Sequence, residues 1–311
     1  MRSFRFLASA SAVVDARALA ESARKAEALG YSALVITDHL LGQLAPVPFL
    51  ATVAAATQRL RIGTFVFNND LRHPAVLAQD LASLDVLSGG RLEIGVGAGW
   101  NRSEYDAIGI AFDHARTRVE RLAESVAILK GLFGPEPFSF AGKHYRIERL
   151  DGRPKPMQKP HPPFLIGGGG RRVLELAARE AQIVGLAPRI GARDGFASAM
   201  WRGTAEKIEW VRAAAGPRFD ELELNTYPAL GRVIVTDDAR KAASEMAARI
   251  GQRMGAEVKP DDVLDSPHVF VGSIDGLVEK FQRLRSELGI SCVMVGAMEP
   301  LAPVVERLAG T

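Results

Sequence analysis

Residues 84–100 read LDVLSGGRLEIGVGAGW, and this stretch decides the fold. Within residues 91–97 apolar side chains alternate with glutamate or glycine, which is the period of a strand with two different faces. The glycines leave the second face without side chains. They either let a flat ligand approach the backbone or let neighbouring strands pack closely, and this stretch leaves both explanations open.

Strand and helix patterns alternate on both sides of this stretch. Amphipathic helices are predicted between eight apolar strands, at residues 4–9, 33–37, 61–67, 91–97, 164–166, 183–187, 230–235 and 291–296. Such βα repeats form either a doubly wound sheet or a closed barrel. Eight strands, with polar residues or glycines after several of them, favour a (β/α)8 TIM barrel. We expect one domain over residues 1–311, with a short insertion at about 135–163 that contains a hairpin and, within residues 152–163, five prolines.

Composition excludes several classes of protein. The 39 basic residues are balanced by 36 acidic ones and form no runs, so we expect no nucleic-acid partner. No apolar run reaches the length of a membrane span, and we expect no membrane association. The single Cys292 has no disulfide partner within the chain, which fits the cytoplasm. The histidine spacing predicts no metal site, and neither a nucleophile elbow nor a P-loop is present.

Two short motifs carry candidate chemistry. Four glycines, Gly167 to Gly170, follow an apolar strand and open a helix, where free N–H groups and the helix dipole favour a phosphate. Asp38-His39 ends the second strand. At the mouth of a barrel His39 could carry a proton, with Asp38 orienting it; the alternative is a surface pair that only caps the loop.

Five segments together resemble the luciferase-like monooxygenase superfamily, and within it the coenzyme F420-dependent oxidoreductases. They are residues 37–39, 72–75, 84–100, 142–145 and 160–171. The resemblance implies a barrel of the bacterial luciferase type, usually a homodimer, with F420 or alternatively FMN at its C-terminal face. It also implies a cis peptide between Phe65 and Val66, and places His39 beside the deazaflavin ring.

By that resemblance His39 is the catalytic residue. The residues expected at the cofactor are Asp38, His39, Phe65, Val66, Asn68, Gly97, Ala98, Gly99, Gly167, Gly168, Gly169, Gly170 and Leu186. One departure concerns Ala98, because the sugar-phosphate dehydrogenases of the family carry a glutamate there. Oxidation of a sugar phosphate is therefore not expected.

The expected reaction is hydride transfer between F420 and a small organic substrate, with proton control by the protein. An FMN-dependent monooxygenase is the first alternative. A cofactor-free barrel that acts on or binds a phosphorylated metabolite is the second. Replacement of Gly168 by valine is expected to weaken cofactor binding more than folding, because the new atoms would occupy the space of the phosphate.

Overall fold

The computed structural model describes residues 2–10, 12, 15–40, 42–189, 195–254, 257–296 and 298–311. Its strands are β1 (Arg5–Ser9), β2 (Ala33–Ile36), β3 (Arg61–Thr64), β4 (Phe67–Asn68), β5 (Leu92–Gly97), β6 (Phe138–Ala141), β7 (Arg146–Leu150), β8 (Phe164–Gly168), β9 (Ile183–Leu186), β10 (Glu223–Thr226), β11 (Ile234–Val235), β12 (Val271–Gly272) and β13 (Ile290–Gly296). Its helices are α1 (Ala16–Ala28), α2 (Pro46–Ala56), α3 (Pro74–Leu87), α4 (Arg102–Ile108), α5 (Ala115–Phe133), α6 (Arg171–Glu180), α7 (Trp201–Ala215), α8 (Ala239–Met254), α9 (Pro260–Asp265), α10 (Ile274–Leu288) and α11 (Ala302–Leu308).

The fold is a (β/α)8 barrel, which confirms the predicted fold class. Its eight parallel strands are β1, β2, β3, β5, β8, β9, β10 and β13, with helices between them. The short β4 continues the course of the chain after β3. Because parallel strands point the same way, the loops after their carboxyl ends meet on one face, where such barrels carry their sites.

The chain divides into two compact units. The first comprises Met1–Ala10, Lys25–Ala33 and Gly168–Thr311, and the second comprises Ser11–Arg24 and Leu34–Gly167. In the first unit β13 pairs with β1 and β10, and β10 pairs with β9. In the second unit β5 pairs with β3, β4 and β8. The expectation of a single domain stays a prediction.

The stretch at residues 84–100 folds as its sequence predicts. Helix α3 ends at Leu87, and Gly89 and Gly90 follow with φ of +66° and +80°, a left-handed conformation that favours glycine. Arg91 donates to the carbonyl oxygens of Ala54 and Leu60 at 2.8 and 2.7 Å. It therefore caps the end of α2 and fixes the start of β5.

One barrel strand differs from the prediction. Residues 230–235 were expected to supply it, but Ile234–Val235 pairs with β12 in a separate two-stranded ladder. The barrel strand is β10, with the sequence ELNT, and it is fully buried. Glu223 accepts a hydrogen bond from Arg5 at 2.7 Å, and Asn225 donates to the Cys292 carbonyl at 3.3 Å. The polar side chains are buried because they have partners, which a hydrophobic pattern cannot reveal.

The predicted hairpin at residues 138–150 is confirmed. Strands β6 and β7 are antiparallel, and Gly142 N–H donates to the Tyr145 carbonyl at 2.9 Å to close the turn. The Glu124 carboxylate on α5 accepts hydrogen bonds from the backbone of residues 143–145. These contacts hold the turn of the hairpin against α5.

Candidate active site

Two glycines of β5 face the segment that follows β3. A Cβ added to Gly95 would overlap the Thr64 carbonyl, and one added to Gly97 would lie 2.7 Å from a methyl carbon of Val66. The missing side chains therefore make room for neighbouring backbone and for Val66. Close packing against neighbouring protein therefore accounts for these two glycines, and the expected contact of Gly97 with a cofactor stays a prediction.

The segment that fills this space contains the cis peptide expected from the resemblance. The bond between Phe65 and Val66 is cis, and both side chains are partly exposed. Phe65 N–H donates to the Ile36 carbonyl at 2.7 Å, which ties the segment to β2. The contact of Phe65 and Val66 with a cofactor stays a prediction.

Beyond β5 the chain turns around a buried polar network. Gly99 has φ of +74°, and a Cβ there would overlap the Tyr105 hydroxyl and lie 2.6 Å from Oδ1 of Asn68. Tyr105 donates to this Asn68 oxygen at 2.9 Å. Burial and the nearby Asp70 carboxylate raise the pKa of Tyr105 to about 12. Since Arg118 donates to the Ala98 carbonyl at 3.2 Å, the loop after β5 is held from two sides.

Asp38 does not orient His39 as the sequence suggested. Its carboxylate is buried and accepts two hydrogen bonds from Arg72, at 2.5 and 3.1 Å, and one from the Asn68 N–H at 3.0 Å. A bidentate arginine and a backbone donor fix this carboxylate in place. Asp38 therefore links the end of β2 to β4. Its predicted contact with a cofactor stays a prediction, and both of its carboxylate oxygens already accept hydrogen bonds from protein.

The partner of His39 is Glu104 on α4. Their Nδ1 and Oε1 atoms lie 2.9 Å apart, and the Glu104 carboxyl is only 4% exposed. With Glu104 as carboxylate, Nδ1 is the donor, and Nε2 is left for a substrate. The His39 side chain is 31% exposed, and its ring packs edge to face with the 73%-exposed Trp100 at 5.7 Å. This pair can hold and move a proton at a site open to a small molecule.

Sequence reasoning missed both α4 and Glu104. Asn101 precedes the helix and Glu104 follows three residues later, which is the spacing of a capping box. That signal would have placed a short helix directly after the β5 loop. It would not have shown that the Glu104 side chain contacts His39, because the two residues are 65 positions apart and only the fold brings them together.

The glycine run after β8 contains both filled and open positions. A Cβ at Gly168 would overlap the Val173 side chain, and one at Gly169 would lie 2.7 Å from the Ala187 carbonyl. At Gly170, apart from its two chain neighbours, no atom of the described residues lies within 4 Å of an added Cβ. The predicted effect of Gly168→Val is therefore wrong in its reason, since the valine would meet Val173 before any phosphate. The open position is Gly170, the residue before α6.

Two other expected positions, Gly167 and Leu186, have different surroundings. Gly167 lies in β8, and its carbonyl oxygen is 3.8 Å from a Cβ built on Gly97. Leu186 ends β9 and is fully buried, so a cofactor would reach it only through its backbone. Neither observation tests a cofactor contact.

The part of the chain that the structure describes holds no cluster of three metal-ligating side chains, and none of its helices has the length and hydropathy needed to cross a bilayer.

Residues 3–266 match the family model described as luciferase-like monooxygenase. The chain belongs to this family. The F420-dependent glucose-6-phosphate dehydrogenase of Nakamurella multipartita is 35% identical over an alignment of 220 residues that covers 66% of this chain and 60% of the relative. The FMNH(2)-dependent dimethylsulfone monooxygenase of Pseudomonas putida is 35% identical over 125 residues, or 40% of this chain and 34% of that protein.

Among solved structures, the coenzyme F420-dependent tetrahydromethanopterin reductase of Methanopyrus kandleri superposes with a TM-score of 0.79. It covers 99% of both chains at 18% identity. At that identity the similarity concerns the fold. This luciferase-like chain therefore has relatives named for two different cofactors, and the matched segments span about 60% of the first relative and about a third of the second.

Proposed function

We propose that this luciferase-like protein is an F420-dependent oxidoreductase that transfers a hydride between the cofactor and a small organic substrate. The observation that carries the proposal is the His39–Glu104 pair at the end of β2, 2.9 Å apart and open to solvent on the histidine side. Relatives named as F420-dependent support the choice of cofactor. The expected homodimer and cytoplasmic location stay predictions.

The residues around Gly170 fit a phosphate. Among the described residues, no atom apart from those of its two chain neighbours lies within 4 Å of a Cβ built on Gly170, at the start of α6. The first turn of α6 has no acidic residue and begins with Arg171 and Arg172, although positive charge is unfavourable at a helix N-terminus. An anion bound there would interact favourably with the arginines and with the helix dipole.

When bound, reduced F420 supplies a hydride from C5 of its ring. Reduction of a polar double bond consumes one hydride and one proton, and we assign the proton to Nε2 of His39. The Glu104 carboxylate holds the ring through Nδ1 and stabilises the imidazolium before transfer. In the opposite direction Nε2 accepts the proton that the substrate loses.

An FMN-dependent monooxygenase is the second candidate. It is favoured by the 35% identity to the dimethylsulfone monooxygenase over 125 residues. Titration of the purified protein with F420 and with FMN, followed by fluorescence, separates the two. We expect F420 to bind more tightly by at least about tenfold, and tighter binding of FMN would overturn the proposal.

The role of His39 is tested by two substitutions. His39→Ala should retain the fold and F420 binding but lose turnover by roughly 10²–10⁴-fold with a surrogate acceptor that the wild type reduces. His39→Asn keeps a hydrogen-bond donor toward Glu104 but has no nitrogen that exchanges a proton. Its turnover should therefore fall by as much as that of His39→Ala. Full activity in either folded variant would remove His39 from proton transfer.

A further inference from the structure

Three exposed apolar side chains lie beside the His39–Glu104 pair. The Trp100 ring packs against the His39 ring, with the two centroids 5.7 Å apart. Leu40 follows His39 in the chain, and its N–H donates to Oε1 of Glu104 at 3.4 Å. Ile108 comes four residues after Glu104 on α4, on the same side of the helix. All three are exposed, so an apolar surface adjoins the group that holds the proton.

Trp100 is the largest of these side chains and contributes little to the core. It is 73% exposed and lies in the loop after β5. The hydrophobic effect stabilises an exposed indole ring only when another molecule covers it, and exposed aromatic side chains on loops are typical of binding sites. The indole plane makes an angle of 87° with the imidazole. A flat group that packs on the Trp100 ring is therefore held next to His39.

The charges around the pair disfavour an anionic ligand. The charge in direct contact with His39 is the Glu104 carboxylate at 2.9 Å. Three arginines on the neighbouring segments are already engaged: Arg72 with Asp38, Arg118 with the Ala98 carbonyl, and Arg102 with Asp106. A phosphate or carboxylate beside His39 would therefore meet a negative charge and no uncommitted arginine from these segments. An uncharged ligand avoids this cost.

We propose that the substrate is an uncharged carbonyl compound with a flat apolar group, and that Trp100 selects it by packing on that group. The carbonyl carbon takes the hydride that reduced F420 supplies, and the carbonyl oxygen takes a proton from Nε2 of His39. The carbonyl compound becomes an alcohol and the cofactor is oxidised. This inference rests on the proposed function, because it names the substrate class of the same site.

The test measures binding of two probes that have similar shapes and different charges, para-methylacetophenone and para-acetylbenzoate. Oxidised F420 is present, so that no reduction takes place, and isothermal titration gives the affinities. In the wild type the uncharged ketone should bind roughly tenfold more tightly than the carboxylate. Trp100→Ala should weaken binding of the ketone by roughly tenfold, and Trp100→Phe should retain most of the affinity.

Leu87→Ala is the matched control. Leu87 is also a large exposed apolar residue, at 70%, but it precedes β5 whereas Trp100 follows it. Because the two residues flank opposite ends of the strand, Leu87→Ala should bind the ketone as the wild type does. Equal weakening in Leu87→Ala and Trp100→Ala would mean that the ketone adheres to apolar surface in general, and would overturn the inference.

The remaining outcomes separate this inference from the proposed function. If F420 binds but the ketone binds no more tightly than para-acetylbenzoate, the substrate class is overturned and the proposed function stands. If the wild type binds FMN and no F420, both are overturned. If Trp100→Ala changes the sedimentation coefficient and leaves the affinity for the ketone unchanged, the apolar surface is an interface between copies of the chain, and the role of Trp100 in selection is overturned.

Discussion

The ends of β5 and β8 are both rich in glycine, yet they use glycine differently. At Gly95 and Gly97 the missing side chain makes room for Thr64 and Val66, so the strand end is closed by protein. At Gly170, by contrast, the part of the chain that the structure describes places no atom within 4 Å of an added Cβ, its two chain neighbours aside. The difference shows that a glycine run makes room for something, and that only its neighbours reveal whether this is protein or ligand.

The strongest way to break this comparison is Gly95→Ala. Its methyl group would overlap the Thr64 carbonyl, and backbone cannot move aside as a flexible side chain can. We expect the free energy of unfolding to fall by about 3 kcal/mol or more, at the upper end of overpacking costs. Urea denaturation with an unchanged m-value measures it.

Gly170→Ala is the matched control. Its backbone, with φ of −92° and ψ of 150°, is accessible to alanine, and there is space for the methyl group. The free energy of unfolding should change by less than about 1 kcal/mol. Equal losses in the two variants would mean that the two strand ends do not differ.

The second prediction concerns proton transfer by His39 and Glu104, the latter on the helix that follows β5. Glu104→Gln removes the charge that holds His39 at 2.9 Å and stabilises its imidazolium. Turnover should fall by roughly tenfold to a hundredfold, less than on loss of the histidine itself, while KM changes little. Steady-state kinetics with the surrogate acceptor measure kcat and KM separately.

Asp38→Asn distinguishes this role from a structural one. Asp38 contacts Arg72 and the backbone of Asn68 and not the His39 ring. Its substitution should lower the free energy of unfolding, because Arg72 loses a buried partner, and should leave kcat of the folded enzyme near the wild-type value. A larger fall in kcat for Asp38→Asn than for Glu104→Gln would reverse the assignment of the two acids.

A third strand end, that of β10, extends the comparison from glycine to polar side chains. Thr226 ends the strand, and its Oγ1 lies 3.0 Å from Nδ1 of the fully buried His268. Burial, and then the positive charge of Lys207, lower the pKa of His268 from 6.5 to about 3. The unfolded chain binds this proton more readily, so stability is complete above pH 6.5 and is lost as pH falls toward 3.

At pH 5 the loss from this histidine should be about 2 kcal/mol, since each pH unit below 6.5 corresponds to about 1.4 kcal/mol. Chemical denaturation at pH 7 and pH 5 measures it in the wild type and in His268→Gln. The variant should lose less stability than the wild type between these two values. The same pH dependence in both proteins would contradict the assignment to His268.

The smallest effect is expected at the open end. Gly170→Val should lower F420 affinity by about tenfold, because its methyl groups would enter the space assigned to the phosphate, with little change in stability. Gly168→Val should instead lower the free energy of unfolding and change F420 affinity less, because its side chain would overlap Val173. Isothermal titration and urea denaturation of both variants check the pair, and unchanged affinity in Gly170→Val would remove the phosphate from this position.

Much of the barrel could be predicted because its strands are short apolar runs. Leu92, Ile94 and Val96 are buried as the alternation indicates, and the LSGGR turn has the two left-handed glycines that end α3. Strand β10 could not be found in this way. Its sequence ELNT is buried through hydrogen bonds to distant residues, and local hydropathy does not report distant partners.

The candidate site was predicted in part. The position of His39 at a strand end follows from the sequence, and the cis peptide at Phe65–Val66 is present. The acid beside His39 was assigned to its neighbour in sequence. Asp38 and His39 are consecutive, but Glu104 comes from a helix 65 residues later, and only the fold brings it within 2.9 Å.

The contact between Gly97 and Val66 has a consequence for the evolution of the family. Side chains at positions 66 and 97 would occupy the same small volume, since a Cβ at Gly97 would lie 2.7 Å from a Val66 methyl carbon. An alanine at position 97 becomes compatible with the fold once position 66 carries a smaller residue, so the two positions should vary as a pair among related sequences. Gly95 has no such freedom, because the atom it faces is a backbone carbonyl that every amino acid carries.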